Sequence, residues 1–237
     1  MARFASRHAR KQVLSIRNAL SIQSHPTKQR AAFLHKTFPE HYKDANHKPE
    51  LALAVAPTLA MCGFRPLSQL HHFLSTSSPA CVPELRAVIG AALCDAFTSK
   101  FTEEGAEGST YAPAADVGSH EHDGVWHHAS LPRVRFSDAD PEDALRSLYS
   151  ALMCAAPALV QQNVSALVER LSGSGSSGAA WNSLILDLHS QYGADIGIFS
   201  IYFFNVLSLQ RGDAIFLAPC LPHAYIRGEL VELMACR

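Results

Sequence analysis

The sequence has 237 residues, of which 48% are hydrophobic, and its formal net charge is −1 at pH 7. This length suits one compact domain or a core domain with a helical appendage. No apolar run approaches the length that a bilayer span requires, so the composition argues against an integral membrane protein. The six cysteines are scattered and include no CxxC pair, which favours a reduced protein of the cytoplasm.

Basic residues are concentrated at the start of the chain. Glu40 is the first acidic residue, and eight lysines and arginines precede it. An Arg-rich and acid-poor start is typical of a transit peptide, but a basic face near an anionic ligand and an irregular start without function are open alternatives. Aromatic residues do not interleave with these cations at a useful density, so we predict no nucleic-acid binding.

The first predicted elements are strands with one short helix between them. Alternating apolar residues predict strands at 13–25 and 51–55. Residues 26–35 are typical of a helix, with Pro26 in its first turn. The chain therefore opens with β-structure.

The middle of the chain is predicted to be helical. Apolar residues at helical spacing predict three helices, at 83–101, 140–156 and 159–171. A polar, glycine-containing stretch predicts a flexible loop at about 103–130, and the Ser/Gly-rich stretch at 172–180 predicts a flexible linker. These helices form a separate predicted insertion.

Strands return after the linker, where apolar runs are broken by turn signals at 211–213 and 227–228. The order of β, then α, then β predicts an α+β fold class. The predicted domain ranges are 1–66 for the first β part with its short helix, 67–180 for the helical insertion, and 181–237 for the returning strands.

Alternation places several polar side chains on shared strand faces. The shared faces carry Gln23 with His25, Lys48 with Glu50, His223 with Tyr225, and Glu232 with Leu230 and Met234. Two imidazoles, one carboxylate and one amide oxygen suit Zn²⁺ or a similar divalent ion. On spacing alone the alternative stays open, because a histidine on a strand is commonly a hydrogen-bonded structural residue.

Two further groups of residues have metal-binding chemistry. A polar loop contains His120, Glu121, His122, Asp123, His127 and His128. We interpret this loop as a solvated segment rather than a metal site, because it is glycine-rich. Cys220, close to His223, is predicted to be a packed small residue rather than a ligand, and Cys62 and Arg65 are predicted to be structural.

The motifs "LSIQSHP", "FPEHYKDANHKPELALA", "CGFRP", "GDAIFLAPCLPHAY" and "VELMAC" closely resemble those of the type I phosphomannose isomerases. These enzymes are zinc-dependent members of the cupin superfamily, and the match covers about the whole chain in order. The resemblance implies a partial cupin-type β-barrel or jelly roll with an inserted helical domain. It also implies the interconversion of mannose 6-phosphate and fructose 6-phosphate, within mannose and GDP-mannose metabolism.

The resemblance also implies roles for individual residues. It implies one Zn²⁺ per chain, held by Gln23, His25, Glu50 and His223. Ser21 and Lys48 would bind the substrate, and Lys48, Glu232 and Tyr225 would be catalytic, with Glu232 as a candidate for proton transfer. The expected partner is a small sugar phosphate, with no nucleic acid and no membrane, and the expected state is a monomer.

The chain departs from the family pattern at positions that bear on catalysis. Gln12 stands where the family usually has a lysine, and Lys11 cannot replace it, because one step along a strand reverses the side-chain direction. Family segments that carry a catalytic arginine and a downstream lysine would follow Arg237, and family strands of the same barrel would precede the first residue, so the resemblance implies truncation at both ends. An alternative prediction is therefore a truncated remnant that binds metal or sugar phosphate without turnover. A metal-dependent oxygenase of cupin type is a third hypothesis.

Overall fold

The structure is a computed structural model that describes residues 9–103, 134–137, 140–173 and 180–235. Its strands are β1 (Ala9–Ile16), β2 (Glu50–Ala54), β3 (Thr58–Phe64), β4 (Phe101–Glu103), β5 (Val134–Phe136), β6 (Phe204–Leu209), β7 (Ala214–Leu217) and β8 (His223–Ala235). Its helices are α1 (Lys28–Thr37), α2 (Leu67–Leu74), α3 (Pro83–Ile89), α4 (Ala91–Thr98), α5 (Pro141–Met153), α6 (Pro157–Gly173), α7 (Ala180–Tyr192) and α8 (Gly197–Ser200). This mixture confirms the α+β prediction.

The described residues divide into two compact units, a β-unit of 9–63 with 206–235 and a helical unit that takes in the residues between. The domain ranges given above stay a prediction. The histidine-containing loop, most of the predicted linker, Cys236 and Arg237 lie outside the described residues.

The β-unit is built around β8, which runs antiparallel to three other strands. β1 pairs along its second half, from Ile16 opposite Gly228 to Ala9 opposite Ala235. β2 pairs with the same half of β8, and β3 pairs with its first half. The sheet order is β6-β3-β8-β2-β7, with β1 joined to β8, and together the strands form a curled half-barrel.

Small side chains line the inside of this half-barrel. Ala52 and Ala54 are fully buried on β2, whereas Leu53 between them is exposed. The inner residues pack with Tyr225 and Leu230 of β8 in one hydrophobic cluster. Because successive residues on a strand point to opposite faces, Glu50 shares the inner face with the two alanines. Because the alanine side chains are small, space remains beside Glu50 on the inner face of the sheet.

Gly228 allows β8 to pass from one half to the other. Its backbone φ is +118°, a value that side-chain-bearing residues rarely adopt. A Cβ atom at this position would also meet the backbone of Pro57 and Thr58 at less than 3 Å. Glycine is therefore required both by conformation and by the close approach of the 57–58 backbone.

Three predicted elements end or begin elsewhere in the structure. The strand predicted at 13–25 ends at Ile16, and only a bridge from Gln23 to His223 continues its pairing. The first helix begins at Lys28 with Thr27 as its cap, so Pro26 precedes the helix instead of lying in its first turn. The helix predicted at 83–101 is broken at Gly90, whose φ of +103° separates α3 from α4.

Helices α2 to α8 bury their apolar faces in the helical unit. Arg65 is 3% exposed there, donates to the Ile201 carbonyl at 3.0 Å and stacks on the Trp181 ring at 4.0 Å. Burial lowers the pKa of Arg65 to about 9. Glu84 of α3 and Arg170 of α6 form a two-pronged ion pair with distances of 2.7 and 2.8 Å.

No single helix among the described residues is long and apolar enough to cross a membrane. By length and composition alone, the bent pair α5 and α6 passes such a test when its two helices are taken together.

Candidate metal centre

Three side chains converge inside the β-unit. His25 Nε2 lies 3.0 Å from Glu50 Oε1, and His223 Nε2 lies 3.3 Å from Glu50 Oε2. Among the described residues, these are the His, Cys, Asp and Glu side chains placed to share one metal ion. The side chains of Glu50 and His223 are 3% and 2% exposed, whereas His25 is 21% exposed. Glu50 and His223 are therefore buried, whereas part of the His25 side chain reaches solvent.

Backbone pairing fixes the two histidines. Gln23 and His223 exchange two N–H···O=C hydrogen bonds of 2.8 and 2.9 Å. Two residues later, the His25 carbonyl accepts from the Cys220 N–H at 2.6 Å. The segment that carries His25 is thus held along the start of β8, where His223 begins the strand.

Hydrogen bonding also fixes the orientation of the His223 ring. Its Nδ1 lies 2.9 Å from the Leu221 carbonyl, which can only accept a hydrogen bond. The proton of the neutral ring is therefore on Nδ1, and the lone pair is on Nε2, directed at Glu50. This arrangement is the one by which proteins hold a histidine ready to bind a metal.

The electrostatics keep Glu50 ionised. Burial alone would raise the pKa of the Glu50 carboxyl, but the imidazoles of His223 and His25 outweigh it and lower the pKa to about 2. Burial would likewise lower the pKa of His223, but the neighbouring Glu50 carboxylate raises it. A carboxylate that stays charged at neutral pH is a suitable metal ligand.

The group fits a divalent ion by two observations. His25 Nε2 and His223 Nε2 are buried and have no hydrogen-bond partner in the described part of the chain, although each lies close to Glu50. Neighbouring ligand atoms around a tetrahedral Zn²⁺ with bonds of about 2.0–2.1 Å are about 3.3 Å apart, close to the two distances observed here. The donor set is nitrogen and oxygen, which suits Zn²⁺ and related ions.

Gln23 is half-buried and stands directly opposite His223 in the bridge. Residues opposite each other in an antiparallel pair project to the same side, so the Gln23 side chain shares the side of His223. Its amide oxygen is therefore a candidate for a further ligand. The structure thus brings three of the four predicted ligands into direct contact and pairs the fourth with one of them.

Glu232 and Tyr225 lie on β8 in the same unit. Glu232 is 4% exposed and accepts a hydrogen bond from the Gln12 amide, which stands opposite it on β1. Tyr225 is 1% exposed, and its hydroxyl has no hydrogen-bond partner among the described residues. Burial, followed by the charges of Glu232 and Glu50, raises the pKa of Tyr225. Its hydroxyl is therefore protonated at neutral pH.

The predicted substrate contacts lie outside the strands. Ser21 is exposed in the segment between β1 and the Gln23 bridge. Lys48 is half-buried, two residues before Glu50 at the start of β2. Neither residue belongs to the group of three converging side chains.

Sequence reasoning missed two features. The hydrogen bond between Gln12 and Glu232 joins residues 220 positions apart, and only the strand register reveals it. Cys220 is exposed rather than packed, and its φ of +64° makes the turn that directs its N–H to His25. The Leu-Pro dipeptide after Cys220 was the available signal for a turn before β8.

Comparisons with known proteins show which family the chain belongs to. Residues 10–67 match the family model described as phosphomannose isomerase type I, catalytic domain, and residues 120–204 match the helical insertion domain of the same family. The mannose-6-phosphate isomerase of Bos taurus is 37% identical over 94% of this chain and 45% of its own length. That of Cryptococcus neoformans is 35% identical over 94% and 47%. The chain therefore spans about half the length of the curated relatives it matches.

Solved structures give the same result. A zinc-bound mannose 6-phosphate isomerase superposes with a TM-score of 0.64 and 26% identity, over 98% of this chain and 49% of the other. The apo form from Salmonella typhimurium gives the same values for TM-score and identity, over the same shares of the two chains. The fold of the described residues is thus similar to that of one part of these longer chains.

Proposed function

The chain belongs to the type I phosphomannose isomerase family, and we propose that it acts in the interconversion of mannose 6-phosphate and fructose 6-phosphate. The observation that carries the proposal is the convergence of His25, Glu50 and His223. Two of these residues lie within the segment that matches the catalytic domain of the family. This role belongs to mannose and GDP-mannose metabolism, in the cytoplasm.

The proposed cofactor is one Zn²⁺ per chain, with His25, Glu50 and His223 as ligands and Gln23 as the fourth. The zinc-bound relative supports this choice, as does the nitrogen and oxygen donor set. When bound, Zn²⁺ supplies a positive centre that polarises substrate oxygens. The proposed β-domain is of cupin type.

The remaining roles are assigned to side chains of this chain. Aldose–ketose isomerisation moves a proton between C1 and C2, and it needs a group that takes and returns that proton. Glu232 is proposed for this step, because it is a buried carboxyl inside the half-barrel, held in one orientation by Gln12. Tyr225, whose buried hydroxyl has no partner in the described structure, is proposed to donate a hydrogen bond to a substrate oxygen.

Lys48 and Ser21 are proposed as substrate-binding residues. Lys48 precedes Glu50 by two residues and would bring positive charge near the reacting carbons, which develop negative charge during proton removal. Ser21 precedes Gln23 by two residues, and its exposed hydroxyl would contact the sugar. We propose that the substrate is the small-molecule partner of a monomer.

A second candidate is a metal-binding protein without turnover. The observation that favours it is Gln12, a neutral amide at the inner position facing Glu232, where the family resemblance implies a cation. An amide orients the carboxylate but supplies no charge to stabilise a negatively charged transition state.

The experiment measures zinc content and turnover on the same protein. Purified chain is loaded with zinc, the bound metal is quantified, and fructose 6-phosphate formation from mannose 6-phosphate is followed in a coupled assay. We expect one zinc per chain and measurable turnover. Stoichiometric zinc in folded protein without turnover would contradict the isomerase proposal and support the second candidate. An iron requirement with oxygen consumption would instead identify an oxygenase.

Matched variants test the ligand assignment. Glu50→Gln keeps the size of the side chain but removes its charge, and we expect at least about a 100-fold loss of zinc affinity. Glu229→Gln is the control, because Glu229 is also a glutamate of the β-unit but is exposed on β8. Equal zinc affinity in the two variants would show that Glu50 is not a ligand.

A further inference from the structure

We propose that Arg10 binds the phosphate group of the substrate at the edge of the half-barrel, an inference that rests on the proposed function. One interpretation of the basic residues at the start of the chain is that they form a face near an anionic ligand. The pairing of β1 with β8 selects one of these cations by its position.

The direction of the Arg10 side chain follows from the alternation along β1. Ile16 is buried, Leu14 packs against the hydrophobic cluster, and Gln12 reaches Glu232, so even-numbered positions face inward. Lys11 and Val13 are exposed on the other face. Arg10, two residues before Gln12, is therefore on the inner face, and its exposure places it at the edge of that face rather than in the core.

The register places Arg10 in the same cross-strand row as a metal-centre residue. Arg10 stands opposite Met234, and Met234 stands opposite Glu50 on its other side. Two strand spacings separate Arg10 from Glu50, or about 10 Å between their backbones. A long flexible arginine side chain can thus meet a ligand that extends from Glu50 across β8.

The charges around this row favour an anion at Arg10. Among the inward positions of β1, β2, β7 and β8 that the structure describes, Arg10 is the only lysine or arginine. Its side chain has no hydrogen bond or ion pair to another described residue. In the zinc-loaded protein the ion would offset the charge of Glu50, whereas the buried Glu232 carboxylate would repel a phosphate held directly above it, so the phosphate is expected away from Glu232, toward the edge of the sheet.

The chemistry of the two groups is complementary. A phosphate monoester carries a charge of about −1.5 to −2 at pH 7 and offers three acceptor oxygens. A guanidinium donates two parallel hydrogen bonds to such a group. With its carbonyl end near Glu50, the open-chain sugar would extend across β8 and present its phosphate to Arg10, while Lys48 stays near the reacting carbons.

The test compares Arg10→Leu with Lys11→Leu in the zinc-loaded protein. Both variants remove one positive charge from adjacent, exposed positions of β1, but only the first changes the inner face. Calorimetric titrations use mannose 6-phosphate, mannose and inorganic phosphate. We expect Arg10→Leu to raise the Kd for mannose 6-phosphate about tenfold or more, which corresponds to loss of a charged hydrogen-bonded contact. Mannose should bind both variants equally, and Arg10→Lys should restore part of the affinity.

The outcomes separate the two proposals. If Arg10→Leu and Lys11→Leu bind mannose 6-phosphate equally in a protein that shows isomerase turnover, the inference about Arg10 is overturned and the proposed function stands. If turnover is absent but binding of mannose 6-phosphate and phosphate depends on Arg10 and not on Lys11, the function fails and the anion site stands. If the parent protein binds neither compound, both fail.

Discussion

Replacing Gly228 by alanine tests whether the turn inside β8 holds the two halves of the candidate site together. An alanine at φ +118° adopts a conformation that side-chain-bearing residues avoid, at a cost of about 1–3 kcal/mol. Its Cβ would also lie 2.5 Å from Thr58 Oγ1 and 2.6 Å from the Pro57 carbonyl oxygen. Relieving such contacts by backbone movement costs about another 1–3 kcal/mol. We expect Gly228→Ala to lower the free energy of unfolding by about 4 kcal/mol.

Gly212→Ala is the matched control, because it isolates the conformational part of this cost. Gly212 has φ +97°, but a Cβ there would meet no atom of the described residues within 4 Å. We expect it to lose only about 1–3 kcal/mol. Urea denaturation followed by circular dichroism gives both values, and hydrogen exchange in peptides of β8 locates the change. Zinc content should fall in Gly228→Ala alone. The turn at Gly228 separates His223, at the start of β8, from the part of β8 that pairs with β2 and so positions Glu50. Equal losses of stability in the two variants would refute the steric argument.

Three further substitutions give distinct outcomes. Gln12→Leu leaves the buried carboxylate opposite it without a partner, and it should lower the free energy of unfolding in urea by about 1–3 kcal/mol; an unchanged midpoint would contradict this. Tyr225→Phe removes a buried hydroxyl that has no partner among the described residues, so the free energy of unfolding should stay within about 0.5 kcal/mol while kcat falls. A loss of stability that accompanies the fall in kcat would point to a structural role for the hydroxyl. Glu84→Gln should lower stability at pH 7 by about 1 kcal/mol. Burial raises the pKa of Glu84, but Arg170 outweighs it and lowers the pKa overall, so the stabilisation is present above the ordinary carboxyl pKa of about 4.3 and is lost as the pH falls below it. If the free energies of unfolding of the parent and of this variant changed in parallel with pH, the stabilising role of the ion pair would be refuted.

Three of the four candidate ligands, His25, Glu50 and His223, converge in the structure, whereas the first predicted strand ends well before the segment that carries Gln23 and His25. Alternation and family resemblance together selected Gln23, His25, Glu50 and His223, because the residue type and the face of a strand are both local properties. The end of β1 at Ile16 is not local. Ile16 pairs with Gly228, so the first strand ends at the level where β8 turns, and no apolar pattern in 13–25 records that constraint.

The hydrogen bond from Gln12 to Glu232 could not be predicted for a related reason. Alternation shows which face each residue occupies, but the partner strand and its register depend on the whole sheet. The break between α3 and α4 shows the opposite case. Gly90 is visible in the sequence, but a single glycine within an apolar helical pattern is also tolerated inside helices, so it does not by itself predict an end.

The position of β8 in the chain has a consequence for the order of folding. β8 pairs with β1, β2 and β3, so contacts such as that between Gln12 and Glu232 close a loop of 220 positions. Loops of this length close slowly, and they cannot begin to close until the later partner has been synthesised. On the ribosome, the helical unit can form its local contacts while β1, β2 and β3 still lack their central strand. The metal centre is therefore assembled only after β8 has been synthesised, and any zinc that stabilises the native protein acts after that point.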